Sequence, residues 1–244
     1  MKVLLLAGTR EARAIAQWLH DAGIASVASF AGVTRAPELP AIETRIGGFG
    51  GRAGMAAYLA QAGITHILDA THPFATQISQ RAASLARERG LKHLLVLRPP
   101  WRAGAGDRWI PIAREEEAAA HIAPGARVFL ATGRQTLPRF ANLSACHLIC
   151  RQIDPPSGPF PFSFGEYLVA RPPFSTAHEI ALFKRLAVDW LVVKNAGGKM
   201  SATKLEAARA LQMPVLMVER PSPPEAVKAQ SVEEAIAWLT SQSA

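Results

Sequence analysis

The sequence predicts an α/β protein made of two doubly wound domains with parallel sheets, and three observations carry that expectation. Short β-rich runs alternate with amphipathic helical stretches from the first residue to about Leu97, the pattern of strands covered by helices on both faces. Each expected helix in that stretch is followed by a glycine, Gly23, Gly63 or Gly90, where helices commonly end in a left-handed residue. Then RPPWRAGAGD, Arg98 to Asp107, interrupts the alternation. Its prolines and glycines support neither helix nor ladder, and beyond it the alternation resumes with different spacing.

In order, the first domain is read as 1–98, with strands at 2–6, 25–30, 42–46, 65–69 and 92–97 and helices at 10–22, 52–62 and 75–89. Residues 99–110 are read as a linker. The second domain is read as 111–244, with strands near 127–131, 146–151, 167–170, 189–193 and 214–218. Its helices fall near 114–121, 176–187, 201–211 and 231–240. Asp154 to Phe164, rich in proline and phenylalanine, reads as an irregular connector whose aromatics form a small satellite cluster or an interface.

With 49% hydrophobic and 19% charged residues, the chain can bury a core and does not have the composition of a disordered protein. Its apolar runs are far shorter than the roughly 20 residues that cross a bilayer. The N-terminus also lacks the apolar core and small-residue cleavage site of a signal peptide. A cytoplasmic protein without membrane partners is expected. Cys146 and Cys150 are the two cysteines, too few for a disulfide framework and without histidines at zinc-ligand spacing, so no metal is expected. They read as small buried hydrophobes. A formal charge of +8 calls for an anionic partner. Nucleic acid is not expected, because the basic residues are not gathered into a run interleaved with aromatics. Many stand singly at expected strand ends, among them Arg45, Arg98, Arg134, Arg171 and Lys194, an arrangement that suits a ligand bearing several carboxylates.

Six stretches carry the chemistry. KVLLLAGTREARAIAQWL is a buried strand, a glycine turn and a helix. Such a turn aims backbone N–H groups and the positive end of the helix dipole at a phosphate. Gly8 lets the backbone approach closely, and Thr9 can cap the helix and donate to an oxygen. Ala7 and Ala12 stand where a full dinucleotide fingerprint would have glycines, so an ordinary strand-to-helix connection stays open. The stretch after the second strand has no acid before Glu38 and offers Ser29, Thr34 and Arg35, which favours NADPH over NADH. RIGGFGG, Arg45 to Gly51, can press its backbone, with Gly48 and Phe49, on a flat ligand or simply turn sharply. DATHPFA places Thr71, His72 and Pro73 at a crevice edge, with His72 either a proton donor or a hydrogen-bonding structural residue. In the second half, KNAGGK, with Lys194, Asn195, Gly197 and Lys199, and the turn containing Arg134 and Gln135, are cationic and rich in N–H groups. They suit carboxylates. The glycine spacing is wrong for a Walker loop, no GxSxG elbow occurs, and His178 and Glu179 read as residues of an ordinary helix face.

LLLAGTREAR, GGFGG, DATHPFA, LRPPW, TGRQ and KNAGG followed by KLEAARALQMPVLMVERP occur in this order. Together they resemble the precorrin-6A reductases over essentially the whole chain; the departure is Ala7, where many members carry a second glycine. The resemblance implies two Rossmann-like domains with the active site in the cleft between them. It also implies hydride transfer from NADPH to a polycarboxylate tetrapyrrole, precorrin-6A, giving precorrin-6B in cobalamin synthesis, with transient contact to neighbouring enzymes of the pathway. On this reading the cofactor set is Gly8, Thr9, Arg10, Arg13, Ser29, Arg35, Gly48, Phe49, Thr71, His72 and Pro73. The substrate set is Arg45, Arg98, Arg134, Gln135, Lys194, Asn195, Gly197 and Lys199. No catalytic residue is assigned beyond His72 as a weak candidate.

Overall fold

A computed structural model of the chain describes residues 1–32 and 40–242. The chain divides into two units, Met1–Pro99 with Pro221–Ala244, and Pro100–Arg220. In the first, β1 (Val3–Leu6), β2 (Ser26–Phe30), β3 (Glu43–Ile46), β4 (His66–Asp69) and β5 (Lys92–Val96) alternate with α1 (Arg10–Asp21), α2 (Gly51–Gln61) and α3 (Thr76–Arg89). The second unit holds β6 (Trp109–Ile112), β7 (Arg127–Ala131), β8 (His147–Gln152), β9 (Gly165–Val169), β10 (Trp190–Lys194) and β11 (Val215–Val218). Its helices are α4 (Thr176–Arg185) and α5 (Thr203–Ala210), with 3₁₀ turns at Glu115–Ala120, Arg134–Phe140 and Lys199–Ser201. The chain then returns to the first unit as β12 (Val227–Ala229) and α6 (Val232–Ser241).

Each unit is a six-stranded parallel sheet, in the orders β12-β5-β4-β1-β2-β3 and β6-β11-β10-β7-β8-β9. This bears out the expected fold class. In both, the strand order reverses beside a central strand, between β1 and β4 in one and between β7 and β10 in the other. Crevices at the carboxyl ends of such a reversal are where doubly wound folds bind ligands.

β1 is buried along its whole length and its side chains alternate between two cores. Val3 and Leu5 pack with Ile15 and Leu19 of α1 and Leu239 of α6. Leu4 and Leu6 pack with Met55 and Leu59 of α2 and Leu85 of α3. Each buried leucine or isoleucine contributes about 1.5–3 kcal/mol. α1 follows because Ala12, Ile15, Ala16 and Leu19 recur on one face and Thr9 caps its start. Gly23, Gly63 and Gly90 all take the left-handed conformation expected of them after α1, α2 and α3.

In the second unit Phe129, Ile149, Leu191 and Val193 face Leu182 and Phe183 of α4 and Leu205 of α5. The opposite face, with Val128, Leu130, Leu148 and Cys150, is buried and meets the 3₁₀ segment Arg134–Phe140. Burial pushes the Cys150 thiol up to about 11, which leaves it an unreactive apolar residue.

The expected boundaries are corrected in two places. Val227–Ala229 pairs with Leu94–Val96, so residues from Pro221 on belong to the first unit and not to a second domain reaching 244. Residues 100–110 are part of the second sheet's fold and not a linker, since Trp109–Ile112 pairs with Val215–Val218. The helix expected at 114–121 is a 3₁₀ segment. Glu179 does not sit on an ordinary helix face: it is fully buried and paired in two hydrogen bonds of 2.8 and 2.9 Å with Arg151.

Candidate active site

At the reversal in the first unit, β1 ends in Ala7-Gly8-Thr9 and α1 begins at once. Thr9 accepts the Ala12 N–H at 3.2 Å and donates to the Ala70 carbonyl at 2.7 Å, which ties the turn after β1 to the end of β4. Gly8 has φ +138, and a Cβ built there would meet nothing within 4 Å. A side chain at this position would project into open space above the helix start, the volume a phosphate needs to reach the backbone. Arg10 and Arg13 stand exposed on the first turn of α1. Arg98 donates to Glu11 at 2.8 Å; it is engaged beside this turn, within the first unit, and not in the second unit with the other cations of the expected substrate set.

Past β4, buried Asp69 accepts from the Thr71 backbone N–H at 3.1 Å and from its hydroxyl at 2.7 Å, fixing the turn that presents His72. His72 Nδ1 accepts the Phe74 N–H at 3.3 Å and its carbonyl accepts the Ala75 N–H at 2.7 Å. Its ring therefore helps to shape this turn. A recess next to it is lined by Thr71, His72, Pro73 and Thr76 and by Ser222 to Pro224 of the returning segment.

At the far side of β2, Arg45 donates to Ser29 Oγ at 2.7 Å and to the carbonyls of Gly47 and Gly48 at 3.1 and 3.0 Å. Its guanidinium lies 3.8 Å from the centre of the Phe49 ring. Arg45 is thus grouped with the expected cofactor residues Ser29, Gly48 and Phe49. Thr34 and Arg35 lie outside the described residues.

The reversal in the second unit gathers a different set. The turn after β7 holds Thr132, which is buried, then Gly133 and Arg134, which are half-buried, and exposed Gln135, and the segment after β10 holds Asn195 to Lys199. Lys194 Nζ stands 3.8 Å from Glu115 Oε1, and Arg139 donates to Oε2 of the same carboxylate at 3.1 Å. Burial lowers the Lys194 pKa, with Glu115 opposing the shift and Arg139 adding to it. The Asn195 amide is engaged at both ends by Trp101, accepting its N–H at 2.8 Å and donating to its carbonyl at 3.0 Å. The Trp101 indole donates to Gly198 at 3.0 Å. Asn195 therefore clamps the LRPPW segment. Gly197 is buried in this turn and Lys199 is exposed at the start of its 3₁₀ segment.

Two residues here carried no signal in the sequence. Thr132 Oγ1 and both amide atoms of Gln152 are buried without a hydrogen-bond partner. The pairing Leu130↔Cys150 sets them side by side at the ends of β7 and β8.

A model of the family described as precorrin-6x reductase CbiJ/CobK matches residues 2–240. The chain belongs to this family. It is 44% identical to a precorrin-6A reductase of Rhodococcus erythropolis, over 98% of this chain and 97% of that one. It is 41% identical to a precorrin-6A reductase of Rhodobacter capsulatus, over 100% and 97%. A solved structure of CobK precorrin-6A reductase superposes with a TM-score of 0.94 at 40% identity, covering 100% of this chain and 98% of that one. Relatives named for the cobalt-bearing substrate also match, such as that of Priestia megaterium at 28% identity over 99% of both chains. Membership makes the chain an oxidoreductase that uses a nicotinamide cofactor. No helix among the described residues is long and apolar enough to cross a membrane.

Proposed function

We propose that this chain reduces the metal-free macrocycle of precorrin-6A to precorrin-6B in cobalamin biosynthesis, in the cytoplasm, with NADPH as reductant. The observation that carries the reading is the pairing of full-length identity to precorrin-6A reductases with a first unit built to take a dinucleotide. Metal-free substrate is favoured because the relatives named for it stand at 41 and 44% identity and the cobalt-named relative at 28%.

The residues fit the cofactor. The open space over Gly8 admits a pyrophosphate to the N-terminus of α1, where backbone N–H groups and the dipole favour it. The last residue of β2, Phe30, and the next two, Ala31 and Gly32, carry no carboxylate, which suits the extra phosphate of NADPH and not the ribose hydroxyls of NADH. NADPH, when bound, supplies the hydride, and a proton from solvent completes the addition across one double bond of the macrocycle. The chain's own task is to place ring and cofactor together and to exclude water. Asp69 holds the Thr71 turn and His72 braces it through Phe74, so this turn positions the cofactor. In the second unit Arg134, Lys194 and Lys199 supply charge for the acetate and propionate groups of the substrate.

The test is an anaerobic assay that follows NADPH absorbance with precorrin-6A and with its cobalt form. Stoichiometric oxidation with the metal-free macrocycle is expected. Absence of oxidation overturns the reading, and faster turnover of the cobalt form moves the substrate assignment.

A further inference from the structure

Ser29 and Arg45 are register partners on β2 and β3, the two strands on one side of β1. In doubly wound sheets the adenosine ribose lies over the end of the strand next to the first. The Arg45 guanidinium is fixed at this place by three donated bonds and by the Phe49 ring beneath it. All three acceptors, Ser29 Oγ and the carbonyls of Gly47 and Gly48, are neutral. Glu43 precedes it on the same face of β3 but is exposed, and the two form no ion pair among the described residues. A full positive charge is thus held without a neutralising carboxylate among the described residues.

The bonding pattern also fixes which donors remain. Of the five guanidinium N–H groups, Nη1 uses two and Nη2 one. Nε–H and one Nη2–H remain without a partner among the described residues, and Nε and Nη2 are the two nitrogens of one edge of the plane. That edge is the fork that grips phosphate through two parallel bonds. Ser29 Oγ accepts from Arg45 and keeps its own proton for an adjacent oxygen. Stacking on Phe49 orders the side chain in advance, so little entropy is lost when a ligand arrives.

We infer that Arg45, seated on Ser29 and Phe49, reads the 2′-phosphate of the cofactor and sets the choice of NADPH over NADH. This rests on the NADPH reading above and moves Arg45 from the substrate side of the reaction to the cofactor side. Gly54 belongs to the same arrangement, because a Cβ there would collide with the Phe49 carbonyl oxygen and displace the ring on which the guanidinium lies.

The test is calorimetric titration of the ligand-free protein with NADPH, NADH, 2′,5′-ADP and 5′-ADP, for the natural chain, Arg45→Gln, Arg45→Lys, Ser29→Ala and Arg35→Ala. Arg45→Gln should weaken NADPH and 2′,5′-ADP by between about tenfold and a hundredfold, the worth of a lost charge-assisted pair, and leave NADH and 5′-ADP within about twofold. Arg45→Lys keeps the charge without the fork and should fall between. Ser29→Ala should weaken the 2′-phosphate ligands selectively but less, which gives a second reading should Arg45→Gln melt. Equal weakening of all four ligands by Arg45→Gln or Ser29→Ala would reduce Arg45 to a brace for the Gly47–Gly48 turn and overturn the inference. Retained selectivity in Arg45→Gln, with selectivity lost in Arg35→Ala, overturns it also. Equal affinity of the natural chain for NADPH and NADH overturns the NADPH reading first, and is recognised without any variant.

Discussion

The two sheets are built to the same plan but prepare opposite surfaces at their reversal points. After β1 the chain enters a 12-residue α-helix capped by Thr9, so backbone dipoles and N–H groups supply the positive potential there. After β7 it enters a 3₁₀ segment with Pro138 inside it, and after β10 a three-residue 3₁₀ turn. Short 3₁₀ pieces carry little macrodipole. The charge there comes from side chains instead: Arg134, Lys194 and Lys199. A compact phosphate is best met by fixed backbone donors, whereas carboxylates scattered around a macrocycle need longer, adjustable cations. On the proposed function, the same strand order serves two ligands because the element following the strand differs.

The cores differ as well, and the largest effect should come from that difference. Below the second sheet Arg151 is flanked by Phe129 and Phe174, with its charge centre 5.0 and 4.5 Å from their rings, and pairs with Glu179, whose side chain is 0% exposed. Glu179→Ala leaves that guanidinium buried without its carboxylate and should cost about 3–5 kcal/mol in chemical denaturation. The double variant Arg151→Met with Glu179→Leu should recover most of it. Hydrogen exchange should quicken in β8 and α4 more than in β1. A loss below about 1 kcal/mol would mean that the pair is solvated.

Exchanging a residue at each reversal point should separate the two surfaces. Gly8→Val fills the space above α1 and should weaken NADPH by roughly a hundredfold or more, as two backbone bonds worth about 1.5–3 kcal/mol each are lost, with macrocycle binding retained. Lys194→Ala and Arg134→Ala should do the reverse, raising the apparent substrate constant about tenfold to a hundredfold with cofactor affinity nearly intact. Titrations of each ligand separately decide the matter. If Lys194→Ala weakens NADPH as much as Gly8→Val does, the division of labour is wrong.

How far the sequence showed this depends on the range of the interactions. β1, α1 and the turn between them are written locally, in an apolar run, a glycine and a capping threonine, and they fold as expected. β12 is three residues, Val227–Ala229, after a proline-rich stretch, and exists because Leu94–Val96 lies ready to pair with it; no periodicity announces such a strand. β6 contains Pro111, a residue that argues against a strand, but it is tolerated because β6 lies at the edge of its sheet. Arg45, Arg98 and Asn195 had the expected residue types at the expected strand ends. Their partners, Ser29, Glu11 and Trp101, depend on tertiary contacts that no local pattern announces. Thr132 and Gln152 drew no notice because burial without a partner is a property of the folded chain alone.

His72→Ala tests whether the first unit only positions its ligand. Because the ring accepts the Phe74 N–H, its loss should loosen the turn and lower turnover by less than the roughly hundredfold expected when a general acid is removed. Turnover is to be measured at saturating NADPH across pH. A thousandfold loss, with an ionisation near neutral pH vanishing from the profile, makes His72 the acid and ends the positioning account.

The smallest effect should be a pH dependence confined to the first unit. His66 and His93 both carry a buried Nε2 without a partner. Burial lowers the pKa of each; the N-terminal charge and Lys92 add to the shift for His66, whereas Asp69 opposes it for His93. The folded chain therefore resists protonation at these rings. As pH falls below the ordinary histidine value of about 6.5, the unfolded chain takes up protons that the folded chain does not, and stability declines until the lowered folded values are reached. Above neutral pH the contribution is fully present. For His93 the slope is at most about 1.4 kcal/mol per pH unit, and less for the more solvated His66. Carboxylates, with ordinary values near about 4, act lower on the scale and do not mask it. Trp238, whose ring lies 6.0 Å from that of His66, gives a local fluorescence signal for unfolding between pH 7 and 5. His93→Phe should flatten that profile and leave hydrogen exchange in β7 and β10 unchanged. An unaltered slope in the variant would assign the acid sensitivity to groups other than His93.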